Sequence, residues 1–378
     1  MAQGSQSSES ISSQTFRFIN KTIDERFKHT NKDLPVKIAI LDTGLDNSHP
    51  DFEQARTKAF VGNQRNEANP VKGGMPQKMR FKEARNFCTD INQDDNHVQD
   101  LDGHGTAIAG TILRLVPRAH LCIARVSLTA SDDVQVPESQ KEYKKPRPDV
   151  VARAIRWAIS LKVDILNLSL GFRDISLSQL SEVRDAPKKA QDSNIVVFAA
   201  TSNAGAHQPI AWPANDAQYA IGIHSCNDSG TLRSSFTAPP SQNGTNFMVV
   251  GESILSQLTT SQGGGFRTWT GSSFATPVAT AIGALILTYV RQKVLEQEKV
   301  EAESQLGAGG LDQLRTNAGM IKILKSFSTL TEGQYWSLSP KLFWGHQLYT
   351  PHSDPNRDAQ EAKDHAWRMI TKALGPSG

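Results

Sequence analysis

The sequence predicts an α/β protein whose open, mostly parallel sheet is covered by helices on both faces. Short apolar runs recur along the chain and alternate with stretches of helical spacing, as strands alternate with helices in such folds. The runs are almost continuously apolar, which is typical of strands buried on both faces. The 378 residues leave room for one such domain of about 250 residues and for extensions at both ends.

The first predicted strand is the run Val36–Leu41, which stops at Asp42-Thr43-Gly44. Similar runs predict further strands at Leu121–Val126, Val163–Leu168, Ile195–Ala200 and Phe247–Val250. Reactive groups in open parallel sheets gather beyond the carboxyl ends of the strands. Asp42, Ser169 and Asn203 therefore occupy suitable positions for a site.

Helical spacing is clearest in Val150–Ile159, which follows the start signal Pro148-Asp149, and in the hydrophobic stretch Phe274–Val290. The second stretch continues into charged residues and loosens at Gly307–Gly310. We predict a polar N-terminal extension over residues 1–34, a folded domain over 35–305, and a C-terminal extension with short helices over 306–378. Those short helices are expected at Ile321–Leu324 and Ala366–Leu374, and apolar spacing between Phe16 and Phe27 predicts a further helix near the start.

Composition argues against several classes of partner. The chain has 41 basic and 38 acidic residues, a balance that gives no electrostatic footprint for nucleic acid. Residues 1–13 lack the pattern of a secretory signal, and no stretch reaches the length of an apolar membrane span. Cys88, Cys122 and Cys226 lie far apart without Cys-x-x-Cys spacing, so we expect neither a disulfide framework nor a zinc site. These features predict an intracellular, cytoplasmic protein without a nucleic-acid or membrane partner.

Three segments each offer one part of an acyl-transfer site, which needs a nucleophile, a base, an orienting group and oxyanion donors. Asp42 follows a predicted strand, where a turn or capping role is the structural alternative. His104 lies between Gly103 and Gly105, where its imidazole is approachable. Ser273 opens a predicted helix: it is either an N-cap or a nucleophile whose oxyanion the helix N-terminus would favour.

Together these segments resemble the subtilase family of serine peptidases, whose triad runs in the order Asp, His, Ser. The matching segments are Asp42-Thr43-Gly44, His104-Gly105-Thr106 and Gly271-Ser272-Ser273-Phe274-Ala275-Thr276-Pro277. The resemblance covers roughly residues 35 to 290 and is nearest to intracellular fungal subtilase-like domains within larger chains. It implies a subtilisin-like three-layer α/β/α fold. It also implies a serine endopeptidase in which Ser273 attacks, His104 acts as general base and Asp42 orients the histidine.

The resemblance assigns further roles near the strand ends. Asn203 matches the side-chain donor to the oxyanion, with a turn asparagine as the alternative. The segment Ser169-Leu170-Gly171 matches the edge to which an extended peptide adds a strand. Ala199 and Ala200 match the wall of the S1 pocket.

Asp102, with Asp100 before it, matches a region that borders the S2 pocket, and its charge would favour a basic P2 residue. Helix capping or exposure to water is the alternative for both carboxylates.

The chain departs from secreted subtilases in two places. Asp51 matches a calcium-ligand position, but the sequence passes directly from helix to Val116-Pro117 without the calcium loop, so six to eight oxygen ligands cannot be assembled. We expect no metal and no cofactor. The residues before Pro35 are too few for an inhibitory pro-domain, which predicts a domain of a larger regulated protein. Its expected partners are a protein or peptide substrate and other domains of that chain.

Two other functions are alternatives to peptide hydrolysis for a chain with these motifs. A non-proteolytic or latent subtilase-like module would bind peptides or partner proteins without cleaving them, and this alternative stays open. An esterase of the α/β-hydrolase type needs Gly-x-Ser-x-Gly and the order Ser, Asp, His, and the chain has neither.

Overall fold

The computed structural model describes residues 35–54, 81–89, 97–130, 138–173, 177–205, 208–227, 230, 233–297, 307–339, 342 and 355–375. The predicted N-terminal extension, with its helix between Phe16 and Phe27, lies outside these residues. The strands are β1 (Lys37–Asp42), β2 (Phe81–Asn86), β3 (His120–Arg125), β4 (Ile165–Leu168), β5 (Val196–Ala200), β6 (Ile221–Cys226), β7 (Phe247–Val250), β8 (Ile254–Gln257), β9 (Phe266–Trp269), β10 (Ser328–Leu330) and β11 (Trp336–Leu338). The helices are α1 (Pro50–Gln54), α2 (His104–Leu115), α3 (Pro148–Ser160), α4 (Leu177–Asp192), α5 (Ser272–Gln297), α6 (Gly307–Leu314), α7 (Asn317–Ser326) and α8 (Pro355–Leu374).

Nine of these strands form one sheet in the order β10-β11-β7-β6-β5-β4-β1-β3-β2. Every pairing in it is parallel except the one between β10 and β11. Strands β8 and β9 form a separate antiparallel hairpin. The predicted α/β class with a mostly parallel sheet is therefore confirmed.

Alternate residues of each central strand face opposite helical layers. Ile38 and Ile40 of β1 pack into a core with α2, α5 and the C-terminal helices, whereas Ala39 and Leu41 pack into a second core with α3 and α4. Because both faces are covered, the strands are apolar at nearly every position. The result is a three-layer α/β/α arrangement.

The expectation that no stretch reaches the length of an apolar membrane span was wrong: within the described residues, the longest helix, α5, contains a stretch that is apolar and long enough to cross a membrane. This stretch, Ser272–Val294, is mostly buried inside the protein. A helix that packs against the central sheet is buried on most sides and needs this composition. Burial in the core therefore accounts for it.

The C-terminal extension packs against the domain, and part of it joins the sheet. Strand β11 pairs with β7, and the Tyr335 hydroxyl donates to the Ala238 carbonyl oxygen at 2.8 Å. Both predicted short helices are present, within α7 and α8. The expected loosening at Gly307–Gly310 was wrong, because α6 begins at Gly307. Tertiary packing outweighs the low helix propensity of glycine there, since Leu314 of the same helix is fully buried.

The sheet brings the sequence motifs to one edge. Asp42 ends β1, Leu168 ends β4 and Ala200 ends β5, and parallel neighbours have their carboxyl ends on the same side. Helices α2 and α5 begin at that edge, with His104 and Ser272 as their first residues.

Candidate active site

Asp42 and His104 form a buried pair at the carboxyl edge of the sheet. The Nδ1 atom of His104 lies 2.7 Å from Asp42 Oδ1, and the two residues are 9% and 3% exposed. Asp42 Oδ1 also accepts the backbone N–H of Thr43 at 2.8 Å. Because an ionised carboxylate only accepts hydrogen bonds, this contact places a proton on Nδ1 and leaves Nε2 as the basic nitrogen.

The carboxylates around His104 control its protonation. Burial by itself would lower the pKa of His104, but the charge and hydrogen bond of Asp42 and the charges of Asp102 and Asp100 raise it above the ordinary value. The net effect stabilises the imidazolium that a general base becomes.

Asp100 supports both the aspartate loop and the histidine loop, a role that the sequence alone did not suggest. It is fully buried, and burial raises the pKa of its carboxyl while the surrounding donors oppose that change. The carboxylate accepts hydrogen bonds from Thr43 Oγ1, Asp102 N, Gly103 N, Thr106 N and Thr106 Oγ1 at 2.6–3.0 Å. Thr43 follows Asp42 directly, and Thr106 lies two residues after His104, so Asp100 connects the two loops. A threonine next to Asp42 and another two residues after His104 were the available signals.

The Asp102 carboxylate accepts hydrogen bonds from other groups of the protein. Its Oδ2 accepts hydrogen bonds from Thr129 Oγ1 at 2.6 Å and Ala130 N at 3.1 Å, and its Oδ1 accepts the His104 N–H at 3.2 Å. The residue is 8% exposed. This arrangement agrees with the capping alternative, and a preference for a basic P2 residue stays a prediction.

The turn between β8 and β9 forms hydrogen bonds with the aspartate loop and the histidine loop. The Gln262 side-chain amide donates to the Asp102 carbonyl oxygen at 2.7 Å. This carbonyl lies two residues before His104. Thr260 donates its N–H and its hydroxyl to Asp46 Oδ2 at 2.5 and 2.7 Å. Although burial acts in the opposite direction, hydrogen bonds from Ser48 and Thr260 lower the pKa of Asp46 to about 2.

Ser273 lies in the first turn of α5, next to the histidine. The ring of the following residue, Phe274, contacts the His104 imidazole edge-on, with 5.1 Å between ring centroids. The Ser273 hydroxyl donates to the Ser169 carbonyl oxygen at 3.1 Å, and Ser169 Oγ donates to the Ser273 carbonyl oxygen at 2.8 Å. The hydroxyl proton therefore points to the end of β4 in this structure. Contacts of this kind often rearrange when substrate binds.

Asn203 lies beside the start of α5 with its side chain exposed. Its Oδ1 accepts the Ser272 N–H at 2.7 Å. The Nδ2 group on the other side of the amide therefore remains a hydrogen-bond donor. Gly271 has a φ of 149°, and a Cβ there would lie 2.8 Å from Asn203 Nδ2. A larger residue at position 271 would displace the amide, which explains the glycine in this motif.

The predicted substrate edge follows β4. Ser169 is buried, Leu170 is half-buried and Gly171 is exposed, so the segment opens progressively to solvent. Ala199 and Ala200 are buried at the end of the neighbouring strand β5. The structure thus brings these predicted residues to one edge beside Ser273.

The three cysteine thiols are buried and unreactive. Burial raises the pKa of the Cys88, Cys122 and Cys226 thiols to about 12, which keeps them protonated. All three cysteines are free. Within the described ranges, no cluster of three or more His, Cys, Asp or Glu side chains is arranged to hold a metal ion.

Known proteins resemble this chain over most of its length. A subtilisin-like protease, het-Q2 of Podospora anserina, is 42% identical over 372 residues, which cover 96% of this chain and 99% of the relative. An intracellular serine protease of Paenibacillus polymyxa is 29% identical over 258 residues, 66% of each chain.

Solved structures show the same fold. A cold-adapted subtilisin-like serine proteinase superposes with a TM-score of 0.52 at 21% identity, and the match covers 82% of this chain and 89% of that one. The subtilisin-like three-layer architecture expected from the motifs is thereby confirmed. Residues 35–308 match the Subtilase family. The chain therefore belongs to the subtilase family of serine peptidases, which are hydrolases.

Proposed function

We propose that this peptidase is an endopeptidase that cleaves peptide bonds through an acyl-enzyme on Ser273. The observation that carries the proposal is the buried 2.7 Å contact between His104 Nδ1 and Asp42 Oδ1. It fixes the imidazole tautomer whose Nε2 can accept a proton from a serine hydroxyl.

In the proposed first step, the Ser273 hydroxyl turns from the Ser169 carbonyl towards His104 and attacks the scissile carbonyl carbon. His104 Nε2 takes the hydroxyl proton, and Asp42 stabilises the imidazolium. The oxyanion is received by Asn203 Nδ2 and the Ser273 N–H, which as a first-turn N–H has no partner within the helix.

In the second half of the reaction His104 returns the proton to the leaving amine, and water then hydrolyses the acyl-enzyme with His104 again as base. The substrate backbone would pair with Ser169, Leu170 and Gly171 in an extended conformation. Ala199 and Ala200 would line the pocket for the P1 side chain.

The family acts on proteins or peptides. We further propose that this chain works inside the cell, because the similar proteins include an intracellular serine protease of Paenibacillus polymyxa. The similarity to a subtilisin-like protease of Podospora anserina supports the peptidase function. Contact with other domains of a larger chain stays a prediction.

The test is hydrolysis of a peptide library by the purified chain and by Ser273→Ala. We expect cleavage by the wild-type chain and a loss of at least about 10⁴-fold in the variant. Ser193→Ala is the matched control, since this exposed serine directly follows α4 and its hydroxyl donates to the Lys189 carbonyl oxygen of that helix at 2.8 Å. Equal cleavage by wild type and Ser273→Ala would refute the proposal. No cleavage by either would favour the non-proteolytic binding module.

A further inference from the structure

Asp51 lies in α1, shortly after the aspartate loop, at the position that matches a calcium ligand in secreted subtilases. A calcium site requires several further oxygen ligands around this carboxylate. Among the residues that the structure describes, the groups around Asp51 have the opposite character. They are hydrogen-bond donors and a cation, so these residues do not fit a calcium ion.

The first of these groups is the Gln257 side chain on β8. Its Nε2 donates to Asp51 Oδ2 at 2.5 Å. Because the carboxylate can only accept, the NH₂ group of the amide must be the one that faces it. The other end of the amide, Oε1, lies 2.8 Å from the Ser256 hydroxyl.

This amide is accommodated by a glycine in the histidine helix. A Cβ at Gly110 of α2 would lie 1.6 Å from Gln257 Oε1, so no larger residue fits while the amide is in place. Glycine inside a helix costs about 1 kcal/mol relative to alanine. The close approach of the Gln257 amide explains why α2 has a glycine at position 110.

The second group is the guanidinium of Arg114, in the last turn of α2. One of its nitrogens donates to the Leu255 carbonyl oxygen, two residues before Gln257 on the same strand. Burial lowers the pKa of Arg114, and the charge of Asp51 opposes that change. The guanidinium thus contacts the same strand, β8, whose Gln257 contacts Asp51, and the charge of Asp51 acts on it.

We propose that Arg114 and Gln257 take the place of a metal ion at Asp51. A permanently charged guanidinium and a neutral amide compensate the carboxylate and fasten α2 to β8 and to the segment after β1. The helix that begins with His104 is thus held by covalently attached groups, and its stability does not depend on the free calcium concentration. This inference does not rest on the proposed peptide hydrolysis.

The test measures the melting temperature of the full chain in a Ser273→Ala background, which prevents self-digestion. With Arg114 and Asp51 intact, we expect the same melting temperature in millimolar EDTA and in millimolar calcium. Arg114→Met should lower it by about 5 °C, because the partly buried Asp51 loses its compensating charge. Arg114→Lys should retain most of the stability.

The double variant Arg114→Met with Asp51→Asn should lose clearly less than the sum of the two single losses. Arg156→Met is the matched control: Arg156 is exposed on α3, and we expect a shift within about 1 °C. Additive losses from Arg114→Met and Asp51→Asn would overturn the proposal. So would a fall in melting temperature with EDTA that calcium reverses and that Asp51→Asn abolishes.

Discussion

Two buried histidines, His104 and His224, show how surroundings decide what an imidazole can do. His104 is 9% exposed and contacts the Asp42 carboxylate, with Asp100 and Asp102 nearby. His224 is fully buried on β6 and contacts neutral groups: Thr201 Oγ1 at 3.2 Å, Asn246 Oδ1 at 3.4 Å and the Tyr335 ring at 4.9 Å between centroids.

The two pKa values move in opposite directions. Burial lowers the pKa of His224 to about 3, opposed by its Asn246 hydrogen bond and assisted by the charge of Arg233. The pKa of His104 is raised because three carboxylates outweigh the same burial effect. Burial therefore favours the neutral ring at both positions, and only the carboxylates make one of them able to accept and hold a proton.

The largest effect should come from removing the carboxylate in contact with His104. Asp42→Asn keeps the shape of the side chain but no longer fixes the Nδ1–H tautomer or stabilises the imidazolium. We expect kcat to fall about 10⁴-fold, as in other Ser–His–Asp triads, with the melting temperature little changed. Steady-state kinetics and thermal melting check this. A fall of less than about 10-fold would show that His104 does not depend on Asp42.

The second effect concerns His224 and stability in acid. The pKa of His224 is about 3 in the folded protein and near the ordinary histidine value of 6.5 in the unfolded chain. Between these values the unfolded chain binds a proton that the folded chain does not. The contribution of neutral His224 to the free energy of unfolding is therefore complete above about pH 6.5. It is lost as the pH falls towards about 3, by up to about 1.4 kcal/mol per pH unit.

Urea unfolding of wild type and His224→Gln at several pH values measures this loss. The variant should show a shallower decline of the free energy of unfolding between pH 6 and pH 4. Parallel declines would mean that His224 takes up its proton in the folded state as well.

A smaller change is expected from Asp102→Asn. Removing this charge lowers the pKa of His104, because Asp102 is one of the carboxylates that raise it. Since the base must be neutral to act, the acidic limb of the kcat/KM profile should move to lower pH. A limb that stays in place, with kcat/KM reduced equally at every pH, would indicate a purely structural role for Asp102.

The smallest effect is expected from Gln262, which positions the histidine loop through the Asp102 carbonyl oxygen. Gln262→Glu keeps the side-chain length but removes the donor. We expect kcat to fall about 5-fold with KM unchanged, the worth of one hydrogen bond. A change in KM alone would instead indicate direct contact with substrate.

Much of the candidate site could be predicted because the residues of the proposed triad lie in three short motifs, each at the end of a strand or the start of a helix. The residues that position these side chains through hydrogen bonds could not be predicted from the sequence. Asp100 lies in a polar stretch, Gln99 to Asp102, that reads as a solvated loop, and its burial depends on donors contributed by the fold. Arg114 likewise interrupts an apolar helix, and the Leu255 carbonyl oxygen that it contacts is distant in sequence.

The strands of the fold likewise include some that the sequence predicts and some that it does not. All five predicted strands are present, since continuous apolar runs identify strands buried on both faces. Strand β6 was missed because Gly222, His224 and Ser225 break its apolar run. Their polar groups are paired inside the protein, for example Gly222 N with Thr245 Oγ1 at 2.9 Å and Ser225 Oγ with Ser234 Oγ at 2.9 Å. Such pairing becomes visible only once distant segments are placed side by side.

The most direct test of the account is labelling with a fluorophosphonate probe followed by peptide mapping. Because His104 must accept the hydroxyl proton, we expect one label per chain, on Ser273, at a rate that rises with pH as His104 becomes neutral. His104→Ala should abolish fast labelling. Labelling at another residue, or equally fast labelling of Ser273 in His104→Ala, would contradict the assignment of His104 as the base that activates Ser273.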